Sequence, residues 1–387
     1  LLEVGVLKVG VYPHFGAMVT ILGDISLITG LVLILYPLIS SIGKFRLTIG
    51  IILAVLILAT IILYVFLPFI NSFINDVLAG FYPYKYTPFV ALYPYSHRGM
   101  VPLNQTEFEL DIKIAKEMGF RGVKLWNVEC FYDDNTLSWA MDKLSSAGLS
   151  VIIPFNFFDR TYKFPFPSQA WTVSGFPNNV TQVNAYVSYV ANVTKIVQSS
   201  PVLLSYLIYY PFNESDPSMW AKVPTTAYLW SLQEIINAIW NVDKLHPIYL
   251  GVMLWRGRDS LGIYKALPKD FLHVYGFAFQ AYTSITDNID IQMIDEFYNY
   301  WITITKNVFI SEWGVHVTGT ALNGRASSEA KKVDMIKAFL RHIHFWSVTW
   351  CYFGLHDFPP ESADFGLIDD NHNLKLSGET MKATLIK

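Results

Sequence analysis

The chain has 387 residues, 52% of them hydrophobic, with 28 basic residues against 31 acidic ones. That near-balance, without a basic patch, argues against a nucleic-acid partner. Cys130 and Cys351 are the only cysteines. Two are too few for a disulfide framework or a cysteine metal site. A single bridge outside the cell is the alternative, and two buried thiols are the expected state.

The apolar excess sits at the front. No charged residue occurs from Ile25 to Gly43, or from Leu47 to Asn75. Each run can cross a bilayer as a helix, at ~20 residues per crossing. The expected spans are about 17–43 and 47–71, within an anchor over 1–76. The turn between them carries Lys44 and Arg46 and no acid. The positive-inside rule makes that turn cytoplasmic and everything after about residue 76 extracytoplasmic. A signal peptide is the competing reading, but two spans and no small-residue cleavage pattern oppose it. The chain opens on Leu1 rather than Met, which leaves room for a preceding segment.

Residues 77–88, aromatic with Pro83 and Pro88, read as a stiff linker. From Phe89 onward short apolar runs alternate with helical periodicity. The expected strands are Phe89–Tyr95, Gly122–Trp126, Ser150–Phe155, Leu203–Tyr210, Pro247–Leu254, Leu272–Phe279, Val308–Ser311 and Val348–Leu355. Thr106-Glu-Phe-Glu109 reads as a capping box opening the first helix. Strands alternating with helices imply parallel pairing and right-handed crossovers. Eight units predict an α/β fold, a (β/α)8 TIM barrel over 89–387, preceded by a transmembrane helical hairpin. Such a barrel works at the C-terminal ends of its strands. Asn104, Asn179 and Asn192 begin glycosylation sequons, consistent with an outside domain.

Two glutamates close apolar strands. Glu312 follows Val308-Phe-Ile-Ser and precedes Trp313-Gly314, and Glu214 follows the fourth strand in Pro211-Phe-Asn-Glu. An ionised carboxylate at the end of a buried strand needs a partner or a task. Either alone reads as a salt bridge. Together they are the equipment of retaining glycoside hydrolysis: a proton donor for the leaving oxygen and a nucleophile for the anomeric carbon, about 5–5.5 Å apart.

At these residues the chain resembles the clan of retaining glycoside hydrolases that carry catalytic glutamates after strands four and seven of a (β/α)8 barrel. Cellulases, mannanases, β-galactosidases and β-glucuronidases belong to it. Asn213-Glu214 matches the clan's Asn-Glu pair, which implies Glu214 as acid/base and Asn213 on the sugar 2-hydroxyl. Ser311-Glu-Trp-Gly matches its nucleophile strand, which implies Glu312 as nucleophile. Tyr282 stands for the Tyr that hydrogen-bonds the nucleophile. The chain departs from the clan at Lys124, where Arg is usual, and at Phe353, where Trp is usual with Trp350 close by. Trp126, Trp255, Trp313 and Trp350 are candidates for stacking on sugar rings. In a chain with 11 Trp, ordinary core packing is an equal reading for any one of them. His316, His356 and His97 could reach hydroxyls, with structural hydrogen bonding as the commoner role.

No His, Cys or Asp group shows metal-ligand spacing and no Gly-rich phosphate loop appears, so neither metal nor cofactor is expected. The expected partners are an oligo- or polysaccharide substrate and the lipid bilayer. The resemblance implies a membrane-anchored β-glycosidase. A transglycosylase with the same site, and a non-catalytic glycan-binding protein on a barrel scaffold, are the alternatives.

Overall fold

The structure, a computed structural model, describes residues 87–92, 104–125, 128, 134–155, 180–210, 225–252, 269–282, 285–318, 324–344, 348–357 and 364–386. The two uncharged N-terminal runs lie outside these residues. Among the described residues no helix is long and apolar enough to cross a membrane.

Eight strands form a closed parallel barrel in chain order. They are β1 (Pro88–Leu92), β2 (Gly122–Leu125), β3 (Ser150–Phe155), β4 (Leu204–Tyr210), β5 (Ile248–Val252), β6 (Gly276–Gln280), β7 (Val308–Trp313) and β8 (Trp350–Tyr352). The ring closes where β1 pairs with β8, Phe89 opposite Cys351. The described helices are α1 (Gln105–Glu117), α2 (Asp134–Ala147), α3 (Val180–Gln198), α4 (Thr225–Val242), α5 (Ile291–Ile302), α6 (Glu329–His344) and α7 (Leu376–Leu385). All eight expected strands are present.

The helices form where apolar residues recur at helical spacing. In α5, Met293, Ile294, Phe297 and Trp301 make the buried stripe, and the Asp290 carboxylate accepts from the Met293 N–H to start the helix. The start of α1 differs from expectation. Its cap is Asn104, whose side-chain oxygen accepts from the N–H groups of Thr106 and Glu107. Asn holds the extended backbone of a cap at least as well as Thr, so the helix begins earlier than a box on Thr106 would set it. The sequon at Asn192 lies inside α3, with Thr194 buried and its hydroxyl donating to the Val190 carbonyl.

Strand side chains alternate between two layers. Val90, Val151, Tyr206, Phe279, Ile310 and Tyr352 join the helices in the outer core. The other set fills the barrel. Contacts between strands that are not neighbours identify it: Tyr249 of β5 meets Phe309 of β7 edge-on, at 4.9 Å between ring centres. Gly251 makes room there, since a Cβ would lie 2.9 Å from Leu207 Cδ1 and 3.2 Å from the Tyr209 ring.

One irregularity decides the site. Phe279 pairs with Ile310, but the next residue, Gln280, pairs with Glu312, so Ser311 is bulged out of register. Phe309 faces the interior. Strict alternation would then turn Glu312 outward, into the apolar layer beneath the helices. The extra residue reverses the parity and aims Glu312 inward and Trp313 outward.

At the opposite end of the barrel, the turn from α4 to β5 is organised by Asp243. It accepts from the Tyr206 hydroxyl at 2.7 Å, from His246 Nδ1 at 2.7 Å and from the Leu245 N–H at 2.9 Å. Burial opposes its ionisation, but these donors outweigh burial and hold the carboxyl down at about 2, against 3.8 ordinarily. The folded value lies below the unfolded one, so the contribution is complete above about pH 4 and is lost as pH falls through about 2. It amounts to roughly 2 kcal/mol. Denaturant midpoints measured across that range should fall, and Asp243→Asn should flatten this part of the curve. An unchanged curve in the variant would remove Asp243 as the cause.

Candidate active site

Glu312 stands at the C-terminal end of β7 with no exposed surface. Four donors from three other strands and the segment after β6 converge on it. Lys124 Nζ of β2 donates to Oε2 at 2.7 Å. The Tyr282 hydroxyl, two residues past β6, donates to Oε1 at 2.7 Å. The Tyr209 hydroxyl of β4 and Gln280 Nε2 of β6 each lie 3.4 Å from Oε2. Lys124 also donates to the Tyr209 hydroxyl at 3.1 Å and to the Ser311 carbonyl at 3.2 Å. The bulge that turns Glu312 inward therefore also presents a carbonyl to the same ammonium.

An ammonium with no exposed surface needs this many acceptors. Burial would pull the Lys124 pKa down, but the charge and hydrogen bond of Glu312 outweigh it, and the net shift is upward. Lys124 stays cationic and pins Oε2. Burial pushes the Tyr209 phenol up, the Lys124 charge opposing it only in part. The phenol is therefore a donor throughout the ordinary range. Burial likewise pushes the neighbouring Cys351 thiol up to about 12. Cys351 is free and buried, an unreactive thiol in the barrel wall. Cys130 lies outside the described residues.

Behind Tyr282 is an aromatic wall. Phe353 meets it edge-on at 6.3 Å and Phe365 at 5.9 Å, and the two phenylalanines contact each other at 5.4 Å. Gly314 allows the wall to close: a Cβ there would sit 2.6 Å from the Phe353 carbonyl and 2.9 Å from the Phe365 ring. The glycine of the Ser-Glu-Trp-Gly stretch is thus required by close approach. Phe365 is held by Lys332 of α6, whose Nζ donates to the carbonyls of Asp364, Phe365 and Gly366 at 2.7, 3.2 and 3.0 Å. Burial, partly offset by nearby acids, lowers the Lys332 pKa to about 8. Tyr282→Phe deletes a charge-assisted hydrogen bond in this wall and should cost about 2 kcal/mol. Chemical denaturation of the variant measures it, and a loss below a few tenths would mean that Tyr282 does not hold the carboxylate.

The structure thus gathers Glu312, Tyr282, Lys124 and Phe353 in one place. It removes two residues from the stacking candidates. Trp313 and Trp350 point out of the barrel into the layer beneath the helices. Trp313 stacks on Phe339 of α6 at 3.7 Å and meets Trp350 and Tyr352 edge-on, while Trp350 packs against Phe120. The bulge is the reason, since turning Glu312 inward turns Trp313 outward. His316 is buried, with Nδ1 donating to the Thr318 carbonyl at 2.9 Å and its ring on Phe365, which makes it a support for the wall. Glu214, Asn213, Trp126, Trp255 and His97 lie outside the described residues. Sequence reasoning missed Tyr209 and Gln280. The signal for Gln280 was present: it is the one polar residue of Gly-Phe-Ala-Phe-Gln. Tyr209 lies among three tyrosines of β4, and nothing local distinguishes it.

No family model matches the chain, and no curated protein matches it. Solved structures do. A β-glucuronidase of Parabacteroides merdae superposes with a TM-score of 0.55 at 10% identity, over 78% of this chain and 36% of that one. A β-D-glucuronidase of Dictyoglomus thermophilum gives 0.54 at 14% identity, over 78% of this chain and 50% of that one. A variant of GH5_18 from Bifidobacterium longum, in complex with Manb1-4GlcNAc, gives 0.56 at 14% identity, over 78% of each chain. The match thus covers a third to a half of the length of the two glucuronidases. At such identity the likeness establishes the fold. This chain carries the (β/α)8 barrel found in known glycoside hydrolases.

Proposed function

We propose that the chain is a retaining glycoside hydrolase that cleaves β-glycosidic bonds of extracellular oligo- or polysaccharides. The observation that carries this reading is Glu312: a carboxylate turned into the barrel at the end of β7 by a bulge, and fixed by Lys124 and Tyr282. In such an arrangement Glu312 attacks the anomeric carbon, while the two donors keep it in one rotamer and balance its charge. Glu214, after β4, protonates the leaving oxygen and later activates the water that releases the sugar. Asn213 binds the 2-hydroxyl. Glu312 has no exposed surface, so sugar binding must displace what covers it.

The same reading places the barrel outside a cell membrane. Its support is the sequence: two uncharged runs joined by a turn with Lys44 and Arg46. Protease added to intact cells should then digest the barrel. Protection until lysis would reverse the orientation.

The direct test is covalent. A panel of 2-deoxy-2-fluoro β-glycosides with activated leaving groups, incubated with the full chain, should leave one glycosyl adduct on Glu312 by peptide mass spectrometry. An adduct on Glu214 would exchange the two roles. No adduct with any sugar, together with glycan retention without turnover, would make the chain a binder.

A further inference from the structure

A cluster of ligand-type side chains lies apart from Glu312, at the seam where the barrel's first and last βα units meet. Asp111 is on α1, His356 follows β8, and His372 is in the segment leading to α7. The Asp111 Oδ1 lies 2.6 Å from His356 Nε2 and 3.5 Å from His372 Nε2. One candidate ligand atom from each residue falls within a sphere in which no pair is more than 4.8 Å apart. The imidazoles meet at 87°, so their edges converge from different directions rather than stacking.

Several features make this more than a surface encounter. Asp111 occupies a core position of α1, in register with buried Phe108, Ile112 and Ala115. Asp111 and His356 are 4% exposed. A carboxylate on the buried stripe of a helix requires charge compensation. Among the described residues, the ionisable groups reaching it are these two imidazoles. His372 holds a left-handed backbone, φ 62°, in a turn where its N–H donates to the Asp369 carbonyl and Asp369 Oδ1 accepts from the Asn371 and Asn373 N–H groups. The turn thus spends a strained residue on presenting this ring.

We propose that Asp111, His356 and His372 bind one divalent transition-metal cation of the zinc class, which staples α1 to the segments that follow β8. Two imidazoles and one carboxylate suit zinc and its neighbours. Calcium and magnesium, which take six or more oxygen ligands, do not fit this set. Four-coordinate zinc holds its ligand atoms about 3.3 Å apart. The distances of 2.6 and 3.5 Å bracket that value and the remaining pair lies within 4.8 Å, so side-chain adjustment without backbone rearrangement would complete the site. The His372 side chain is 15% exposed, which leaves a route for the metal and for a water as fourth ligand. The three residues are too far apart in sequence for motif spacing to reveal them. The site is independent of the hydrolase reading, because its function is to hold the seam.

Isothermal titration of the chelator-treated full chain with zinc chloride should show one site per chain, with a dissociation constant tighter than about 1 μM. The melting temperature should rise by about 5 °C at saturation. Cobalt(II) should give the visible bands of a four- or five-coordinate nitrogen–oxygen site. His372→Asn, chosen because Asn tolerates the left-handed backbone, should weaken zinc binding by roughly 100-fold while lowering the melting temperature in chelator only slightly, since His356 keeps its 2.6 Å contact with Asp111. His356→Gln should weaken it as strongly, and far-ultraviolet circular dichroism verifies that each variant is folded. Absence of a saturable one-to-one site would overturn the proposal and leave a buried imidazole–carboxylate pair. So would zinc binding undiminished in both variants.

Discussion

On the proposed hydrolase reading, Glu312→Gln is expected to reduce turnover of every accepted β-glycoside by about 10⁵-fold, ~7 kcal/mol of transition-state stabilisation. The amide keeps the shape of the side chain but cannot attack the anomeric carbon, so no glycosyl-enzyme forms, and the loss should not depend on the leaving group. Glu214→Gln should behave differently. An aryl glycoside with a good leaving group needs little protonation, so its first step should survive and the glycosyl-enzyme should accumulate. Azide, which needs no general base, should restore turnover to Glu214→Ala with a β-configured product. Steady-state and burst kinetics on aryl glycosides of graded leaving-group acidity would separate the two residues. Unchanged turnover in Glu312→Gln on a confirmed substrate would move the site elsewhere.

Lys124→Met is expected to cost about 3–5 kcal/mol of stability, because it leaves the Glu312 carboxylate buried without its cation. The ammonium–carboxylate contact is 2.7 Å with no exposed surface on either side chain. Screening by salt should therefore matter little. The decisive measurement is the double-mutant cycle. Lys124→Met with Glu312→Gln removes both charges, so the double variant should be more stable than Lys124→Met alone. Denaturant midpoints in low and high salt provide all four corners. Strict additivity would show that the two charges do not support each other. The same substitution should also slow any glycosidase activity, since Oε2 loses its closest fixed donor.

The two changes probe different parts of the same strand, and that strand shows how far the sequence could be read. The apolar run Val308-Phe-Ile marked a buried strand, and eight such runs alternating with helical periodicity marked a parallel barrel. Period and order are properties of the chain itself, so they survive without coordinates. The pairing of Glu312 with Tyr282 was implied by the resemblance to the glycoside hydrolase clan and by no local pattern of the chain. The facing of the side chains was not. A strand read with strict alternation puts Phe309 and Ser311 on one face and Glu312 on the other. Only the skip between Phe279 and Gln280 reverses this, and a bulge depends on what the adjacent strand offers as a partner. For that reason Trp313, read as a sugar platform, lies against Phe339 in the outer core.

By itself the sequence determined the barrel, the strand ends on which chemistry can sit, and the identity of a carboxylate that could not be there for packing. These follow from local periodicity and from the cost of burying charge. The tertiary structure alone decided which polar side chains meet. Lys124, Tyr209, Gln280 and Glu312 come from four strands, and Asp111, His356 and His372 from the barrel's first and last βα units. Barrel closure, with β1 hydrogen-bonded to β8, brings such distant residues within bonding distance. Separation along the chain carries no information about that distance.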